Sequence, residues 1–475
     1  MTFPHTQPMT SFWLSAAADL ANHRTTEILP QEADVVIIGS GYSGSAAAYF
    51  LLANSNSDGD TLSTVILEAR QVCSGATGRN GGHLKPDTYY SAAENYRKYG
   101  SQIADELIKF ECQQVLDVKR LVETENIDCD FELTRAIDVF TDQQTADSVL
   151  QIHNEMKVKG FSFPDDLHVI ADPKRAEQVS GVKGAKAALT FTAGSVWPYK
   201  LVDHLLRRSI EMGANLQTNT PVQKISHHVH GADGRHVVTT DRGDILARKI
   251  IVASNAYTGA LFPEFRDKII PVRGVVCRIA VPPEDPDSGH RARAPHLNNS
   301  YAIRFNPEHF DYLVSKTDGS IVVGGADRCA VEKESYWYGN TDDSQLIPDV
   351  EEYFTGYMQR MFNGWEDSKA RITDIWSGIM GWSTDSMPFV GEMHGHPPGI
   401  FVTAGFTGHG MPRILGCSKA LAKLVRSDTG AETDDLSTRH GLPRPYLLTA
   451  ERLKDKKNNI LSYARNVESF SSTST

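Results

Sequence analysis

Apolar residues in this chain come mostly in unbroken runs, with little alternation. Val35-Val36-Ile37-Ile38 is β-branched throughout, the pattern of a strand covered on both faces. It leads into Gly39-Ser40-Gly41-Tyr42-Ser43-Gly44, then the helix-forming stretch Ala46–Leu52. A turn cluster at Ser57–Asp60 precedes a second apolar strand, Thr64–Leu67, that ends at Glu68. Together these predict one βαβ unit. From about Tyr89 to Val179 the chain reads as mainly helical and charged. A helix over Ser101–Glu123 would bury Ile103, Leu107, Phe110, Val115, Val118 and Leu121. Farther on, Thr190-Phe191, a helix over 199–212 and Ala214–Leu216 suggest another βα passage. Strands are predicted at 236–239, 244–246 and 249–253, with 269–281 and 319–325 in a second sheet. Ile400–Ala404 precedes Gly405 and a helix over 411–425. Trp13 and Leu20 would dock a short N-terminal helix, and the last ten or so residues of the Ser/Thr-rich tail should be disordered.

The 475 residues are 40% hydrophobic and 23% charged, as in an ordinary globular chain of two or three domains. A formal net charge of −11 argues against a nucleic-acid partner, which demands a basic footprint. The six cysteines form no C-x-x-C pair, which fits a reduced compartment. Phe12–Leu20 lacks a basic flank and is broken by Asp19, so it does not read as a signal peptide. No run approaches the roughly 18 apolar residues of a membrane span. A soluble, cytoplasmic protein is expected, with its oligomeric state open.

Candidate chemistry begins at the first glycine cluster. Gly39 permits a tight turn, Gly41 a close approach of backbone to a pyrophosphate, and Gly44 close packing of helix on strand. A helix N-terminus carries roughly +0.5 charge, which favours a diphosphate there. Glu68 follows Gly44 by 68 − 44 = 24 residues, near the roughly 20 expected of a carboxylate that binds ribose hydroxyls. It would repel a 2′-phosphate, which disfavours NADP. A second loop, Cys73-Ser74-Gly75-Ala76-Thr77-Gly78-Arg79-Asn80-Gly81-Gly82-His83, stands where an NAD domain would continue into helix. It suits a longer cofactor.

These two segments, with Trp376-Ser377-Gly378 and Asp385–Gly391, resemble the D-amino-acid-oxidase-type FAD-dependent oxidoreductases. The branch they resemble contains D-amino-acid dehydrogenase, glycine and sarcosine oxidases and γ-glutamylputrescine oxidase. The resemblance covers about Ala33 to Val425. It implies an α/β (α+β) fold: a Rossmann-like FAD-binding domain, glutathione-reductase-like, with a second, mixed-sheet substrate domain. The implied partition assigns 1–32 to an extension, 33–90, 181–262 and 370–430 to the FAD domain, 91–180 and 263–369 to the substrate domain, and 431–475 to a C-terminal extension.

By the same resemblance, FAD would meet Gly39, Gly41, Tyr42, Ser43 and Gly44, with Glu68, Ala69 and Arg70 at the adenosine. Ser74, Ala76, Thr77, Arg79, Asn80, Gly81 and Gly82 would flank the path to the flavin, beside His83 and Leu84. Val222 would meet adenine, and Ala253 and Ser254 the ADP moiety. Gly405, Gly408, His409, Gly410 and Met411 would bring backbone N–H groups to the flavin edge. The implied reaction is oxidation of a C–N bond in a small amine or amino acid. Hydride passes to flavin N5 to give an imine, and O2 then reoxidises the flavin with release of H2O2. The alternatives are a dehydrogenase serving a quinone or protein acceptor, and a non-catalytic FAD-binding protein.

Arg273 and Arg304 are candidate carboxylate binders through their two-pronged guanidinium groups. Tyr301, Tyr312, Trp376, Trp382 and Phe406 could form apolar walls. With these two arginines and Trp376, His83, Lys85 and His409 beside the flavin are the candidate catalytic residues, Lys85 as a proton or oxygen-activating group. His394 and His396 lack a third ligand, so no metal is expected. The sarcosine-oxidase branch tethers FAD through a cysteine where this chain has Gly378, which predicts dissociable FAD. Its oxygen-activating lysine has no counterpart in Ile321–Gly324, which bears on the speed of reaction with O2.

Overall fold

A computed structural model describes residues 3–16, 19–53, 62–226, 234–282, 294–331, 333–427 and 433–461. The expected turn at Ser57–Asp60 and the C-terminal tail lie outside the described residues. Two sheets carry the architecture, the mixed α/β arrangement that the sequence predicts.

Among the described residues the first sheet has eight strands and is parallel at its centre. β1 (Glu32–Ile38) pairs on one side with β2 (Thr64–Leu67) and on the other with Gly243–Val252. Asn215–Gln217 extends the β2 side in parallel; Ile400–Ala404 pairs in parallel with Gly243–Val252. The chain thus leaves β1 in both directions, and ligands in open α/β sheets bind at such a switch point, beyond the carboxyl ends of the strands. α1 (Tyr42–Ala53) follows β1 directly and is buried almost all round, between Pro198–Glu211 and Ile414–Arg426. Its small, uncharged sequence suits that sandwich.

Among the described residues the second sheet has nine strands, in the order Arg371–Ser383, Ile269–Ala280, Ile321–Gly325, Phe310–Ser315, Ser300–Arg304, Glu132–Phe140, Ala187–Ser195, His83–Leu84, with His168–Ile170 beside Ala187–Ser195. It is antiparallel except where Ser300–Arg304 runs parallel to Glu132–Phe140. Segments 181–262 and 370–430 therefore each supply strands to both sheets.

Several elements differ from expectation for physical reasons. The strand Glu132–Phe140 falls within the stretch read as helical; its charged Arg135 and Asp138 obscure an apolar inner half that is fully buried. The two strands predicted at 244–246 and 249–253 form one strand, because Ala247 pairs with Ala33 on one side and His236 on the other and so joins the two halves. The helix after Ile400–Ala404 starts at Ile414 rather than 411; Gly408 has φ +67°, and Pro412 follows within the turn. The docking of Trp13 and Leu20 holds: both are buried, in one core cluster with α1.

Candidate cofactor and substrate site

At the carboxyl end of β1 the backbone turns at Gly39, φ +109°, where a Cβ would stand 2.7 Å from the Ala253 carbonyl oxygen. A Cβ on Gly44 would run into the Gly39 carbonyl, so this glycine lets α1 approach the strand. The Glu68 carboxylate is set by three donors: Ser40 N at 3.0 Å, Ser40 Oγ at 2.7 Å and Arg70 N at 2.9 Å. Thr77 Oγ1 accepts from Tyr42 N at 3.1 Å, joining the second glycine loop to the start of α1. A Cβ on Gly41 would meet the same hydroxyl at 3.3 Å.

The three glycine clusters open onto one cavity of about 580 Å³, within the roughly 300–1,000 Å³ of ligand and cofactor sites. From the first cluster Gly39, Gly41, Tyr42 and Ser43 line it, followed by Glu68, Ala69 and Arg70. The second contributes Ala76, Thr77, Arg79, Asn80 and Gly81. The third contributes Gly408, His409, Gly410 and Met411. Val222, Ala253, Ser254 and Gly378 also face it. A Cβ on Gly81 would collide with the Tyr312 ring, and one on Gly378 would reach Arg79 Cβ at 3.0 Å. Side chains at these positions would fill the cavity wall, so the residues fit an extended dinucleotide.

Other expected contacts act one layer back. Gly44, Ser74, Gly82, Leu84 and Gly405 do not line the cavity. The Ser74 carbonyl instead accepts from Arg70 Nη2 and Arg79 Nε. Leu84 is buried in the second sheet, and Gly405 N donates to Asn255 Oδ1 at 3.0 Å. Arg70 and Arg79 border the cavity, but their guanidinium groups flank Asp343, at 3.0 and 3.5 Å. Both also hold the N-terminal segment, Arg70 through the His5 carbonyl and Arg79 through the Met9 carbonyl. Trp13 Nε1 donates to the Asn80 carbonyl, and Phe3 and Pro4 complete the wall.

Beyond Gly81 the cavity changes character. His83, Lys85, Asp87, Tyr90, Arg304, Phe310, Tyr312 and Asp327 line it. Arg304 is 6% exposed, and its guanidinium lies over the Tyr90 ring at 3.6 Å. Arg304 Nε has no hydrogen-bond partner among the described residues, and Nη2 is 3.8 Å from Asp138 Oδ2. The same oxygen takes Lys85 Nζ at 3.1 Å and Tyr89 Oη at 2.7 Å. Burial, then Lys85 and His409, hold His83 well below the usual imidazole range, so it is neutral. Burial, with Asp311 beside it, lifts the Asp327 carboxyl to about 7.

Two candidates lie elsewhere. Arg273 does not line the cavity, and its Nε donates to the Tyr336 carbonyl at 2.8 Å. Trp376 is fully buried, with Nε1 on the Arg79 carbonyl at 2.8 Å, so it braces the second loop from behind. Of the expected apolar walls, Tyr312, Trp382 and Phe406 face the cavity, while Tyr301 packs in a separate core. His394 bonds to the Leu448 carbonyl and His396 to Glu264; among the described residues no His/Cys/Asp/Glu group could hold a metal ion. Among them, too, no helix is long and apolar enough to cross a membrane.

Sequence reasoning missed Glu111, Asp138, Asp327 and the N-terminal wall. For Glu111 a signal exists: it shares the i, i+4 stripe of the long helix with Leu107 and Val115, a charge on an apolar face.

Comparison with known proteins agrees with this geometry. The chain is 24% identical over 400 residues to the gamma-glutamylputrescine oxidoreductase of Escherichia coli K12, covering 83% of this chain and 84% of that protein. It is 25% identical over 398 residues to the probable oxidoreductase OrdL of Rhizobium meliloti, covering 83% of each. Among solved structures, glycine oxidase from Geobacillus kaustophilus superposes with a TM-score of 0.67 at 20% identity, over 88% of this chain and 99% of that one. The family model described as "DAO: FAD dependent oxidoreductase" matches residues 34–424, a span that contains all three glycine clusters. The chain therefore belongs to the FAD-dependent oxidoreductase family, as an enzyme whose cofactor is FAD.

Proposed function

We propose that this enzyme oxidises a small amine that also bears a carboxylate, an amino acid or N-substituted amino acid, using non-covalent FAD and O2 as acceptor. One observation carries the reading. Arg304 is a deeply buried guanidinium whose Nε has no hydrogen-bond partner among the described residues, on the wall of the cavity that the glycine clusters share. A buried cation with unfilled donors favours an anionic ligand, and a carboxylate matches its fork. Lys85 adds positive charge nearby but is held by Asp138, which leaves Arg304 the better anchor. The wall of Tyr90, Phe310 and Tyr312 would exclude water around the substrate carbon. Bound flavin supplies the two-electron sink; the protein orients the substrate against it. The names of two relatives, a gamma-glutamylputrescine oxidoreductase and a glycine oxidase, support an amine-bearing substrate. The Gly378 position, crowded by Arg79, supports a dissociable cofactor.

The test is an anaerobic panel of amines and of D-, L- and N-alkyl amino acids, followed by flavin absorbance. Bleaching by acid-bearing amines and not by their decarboxylated analogues is expected. Bleaching by simple amines alone would overturn the carboxylate reading. Readmitting oxygen should then restore the spectrum with release of H2O2; persistence of the reduced spectrum would assign another acceptor.

A further inference from the structure

The long helix Ser101–Glu125 carries a buried carboxylate, Glu111, that ties together two walls of the cavity. Its Oε2 accepts from His409 Nε2 at 2.8 Å and from Asp87 N at 2.7 Å. Its Oε1 accepts from Arg413 Nε at 2.7 Å, with Tyr446 Oη at 3.3 Å. His409 and Asp87 both face the cavity; Glu111 stands behind them. We propose that Glu111 is a positioning residue that holds the His409 ring through its Nε2–H, leaving Nδ1 as the nitrogen that takes a proton from the substrate ammonium.

Burial would raise the Glu111 carboxyl, but Arg413 and His409 outweigh it and hold it down to about 2. An ionised carboxylate only accepts hydrogen bonds, so the ring nitrogen facing it must carry the hydrogen. Nδ1 is then the ring nitrogen left to exchange a proton with a ligand. The groups around His409 are compatible with a base there. His83 is neutral, held so chiefly by burial; Lys85 is held by Asp138; Arg413 balances the charge of Glu111.

Such a base has a task under the amine reading, on which this inference rests. An amine arrives at neutral pH as its ammonium ion, with no lone pair on nitrogen to support loss of hydride from the neighbouring carbon. In the step proposed, an ammonium N–H bond breaks and the proton forms an Nδ1–H bond on His409. The positive charge moves to the ring, where Glu111 stabilises it. No electrons change hands, so no oxidant is needed. Asp327 is the rival base, since it also lines the cavity and titrates near neutrality.

The experiment uses the flavin-loaded protein with 15N-labelled histidine. Nitrogen chemical shifts, assigned to His409 by its loss in His409→Gln, report tautomer and titration without any substrate. The neutral ring should be the Nε2–H form, and in Glu111→Gln its pKa should fall by about one unit, a tenfold change in proton affinity. The acid limb of anaerobic flavin reduction should move with it. An Nδ1–H tautomer in the wild type, an unmoved acid limb in Glu111→Gln, or a limb abolished by Asp327→Asn would overturn the proposal. If Glu111→Gln does not fold, His409→Gln decides: loss of the limb with flavin retained supports the base, and its persistence refutes it. Failure of every amine to bleach the flavin would refute the function proposed above and leave the tautomer result standing on its own.

Discussion

The two ends of the cavity are built by different means. At the dinucleotide end, backbone does the work: Gly39, Gly41 and Gly44 clear space beside a helix start, and Glu68 is held by donors two residues or one strand away. At the far end, side chains from distant segments assemble a charged wall. Arg304 meets Asp138 from a neighbouring strand, and Glu111 meets His409 across 298 positions of sequence. A backbone cradle is set by local sequence and depends on the absence of side chains. The charged wall depends on the register of the second sheet, so its parts can change while the cradle persists. A family can in this way keep one cofactor while its substrates differ.

Substitutions at the two ends should therefore separate flavin content from turnover. The largest effect is expected for Gly39→Val, which places a branched side chain at φ +109° against the Ala253 carbonyl. The purified protein should lose essentially all flavin absorbance; retention would show that the turn is not part of the cradle. Arg304→Met should retain flavin and lower kcat/KM for acid-bearing substrates about 10- to 150-fold, the worth of a charged hydrogen bond of roughly 1.5–3 kcal/mol. An equal loss on substrates without a carboxylate would point to a packing role instead.

Trp13→Ala removes a fully buried ring that braces the Asn80 carbonyl from the N-terminal segment. A cost of about 3–5 kcal/mol is expected, read as a lower denaturation midpoint with faster FAD release. Unchanged release would confine Trp13 to general stability.

The smallest effect concerns Asp327. Its folded carboxyl titrates near 7, so the cavity gains a negative charge as pH rises through that value. Inhibitors bearing a carboxylate should bind more weakly above pH 7 than below it, and Asp327→Asn should flatten the dependence. Because the folded pKa is raised above the ordinary 3.8, the protein binds this proton more tightly when folded. Stability from this group is full below about pH 4 and is lost as pH rises through 7. An Asp327→Asn variant should lose that slope.

The same contrast explains what the sequence made readable. Val35–Ile38, the glycine spacing and Glu68 sit within one βαβ unit, so adjacency in sequence is adjacency in space. The third cluster, Gly405–Met411, was readable as a strand, a turn and a helix start, although its helix begins three residues later than expected. Arg304 and His409 could be singled out as residue types, but their partners could not. Asp138 lies in a strand whose charges concealed its burial, and Asp343 joins Arg70 and Arg79 only through folding. Arg273 offered the same guanidinium as Arg304, and nothing local reveals that it faces the Tyr336 carbonyl instead.

The three glycine clusters are proposed to hold one FAD without a covalent bond. The direct measurement is the absorbance of purified protein before and after acid precipitation. Close to one flavin per chain, released entirely into the supernatant as FAD, is the expected result. A colourless protein that takes up no added FAD, or a yellow pellet over a clear supernatant, would contradict it.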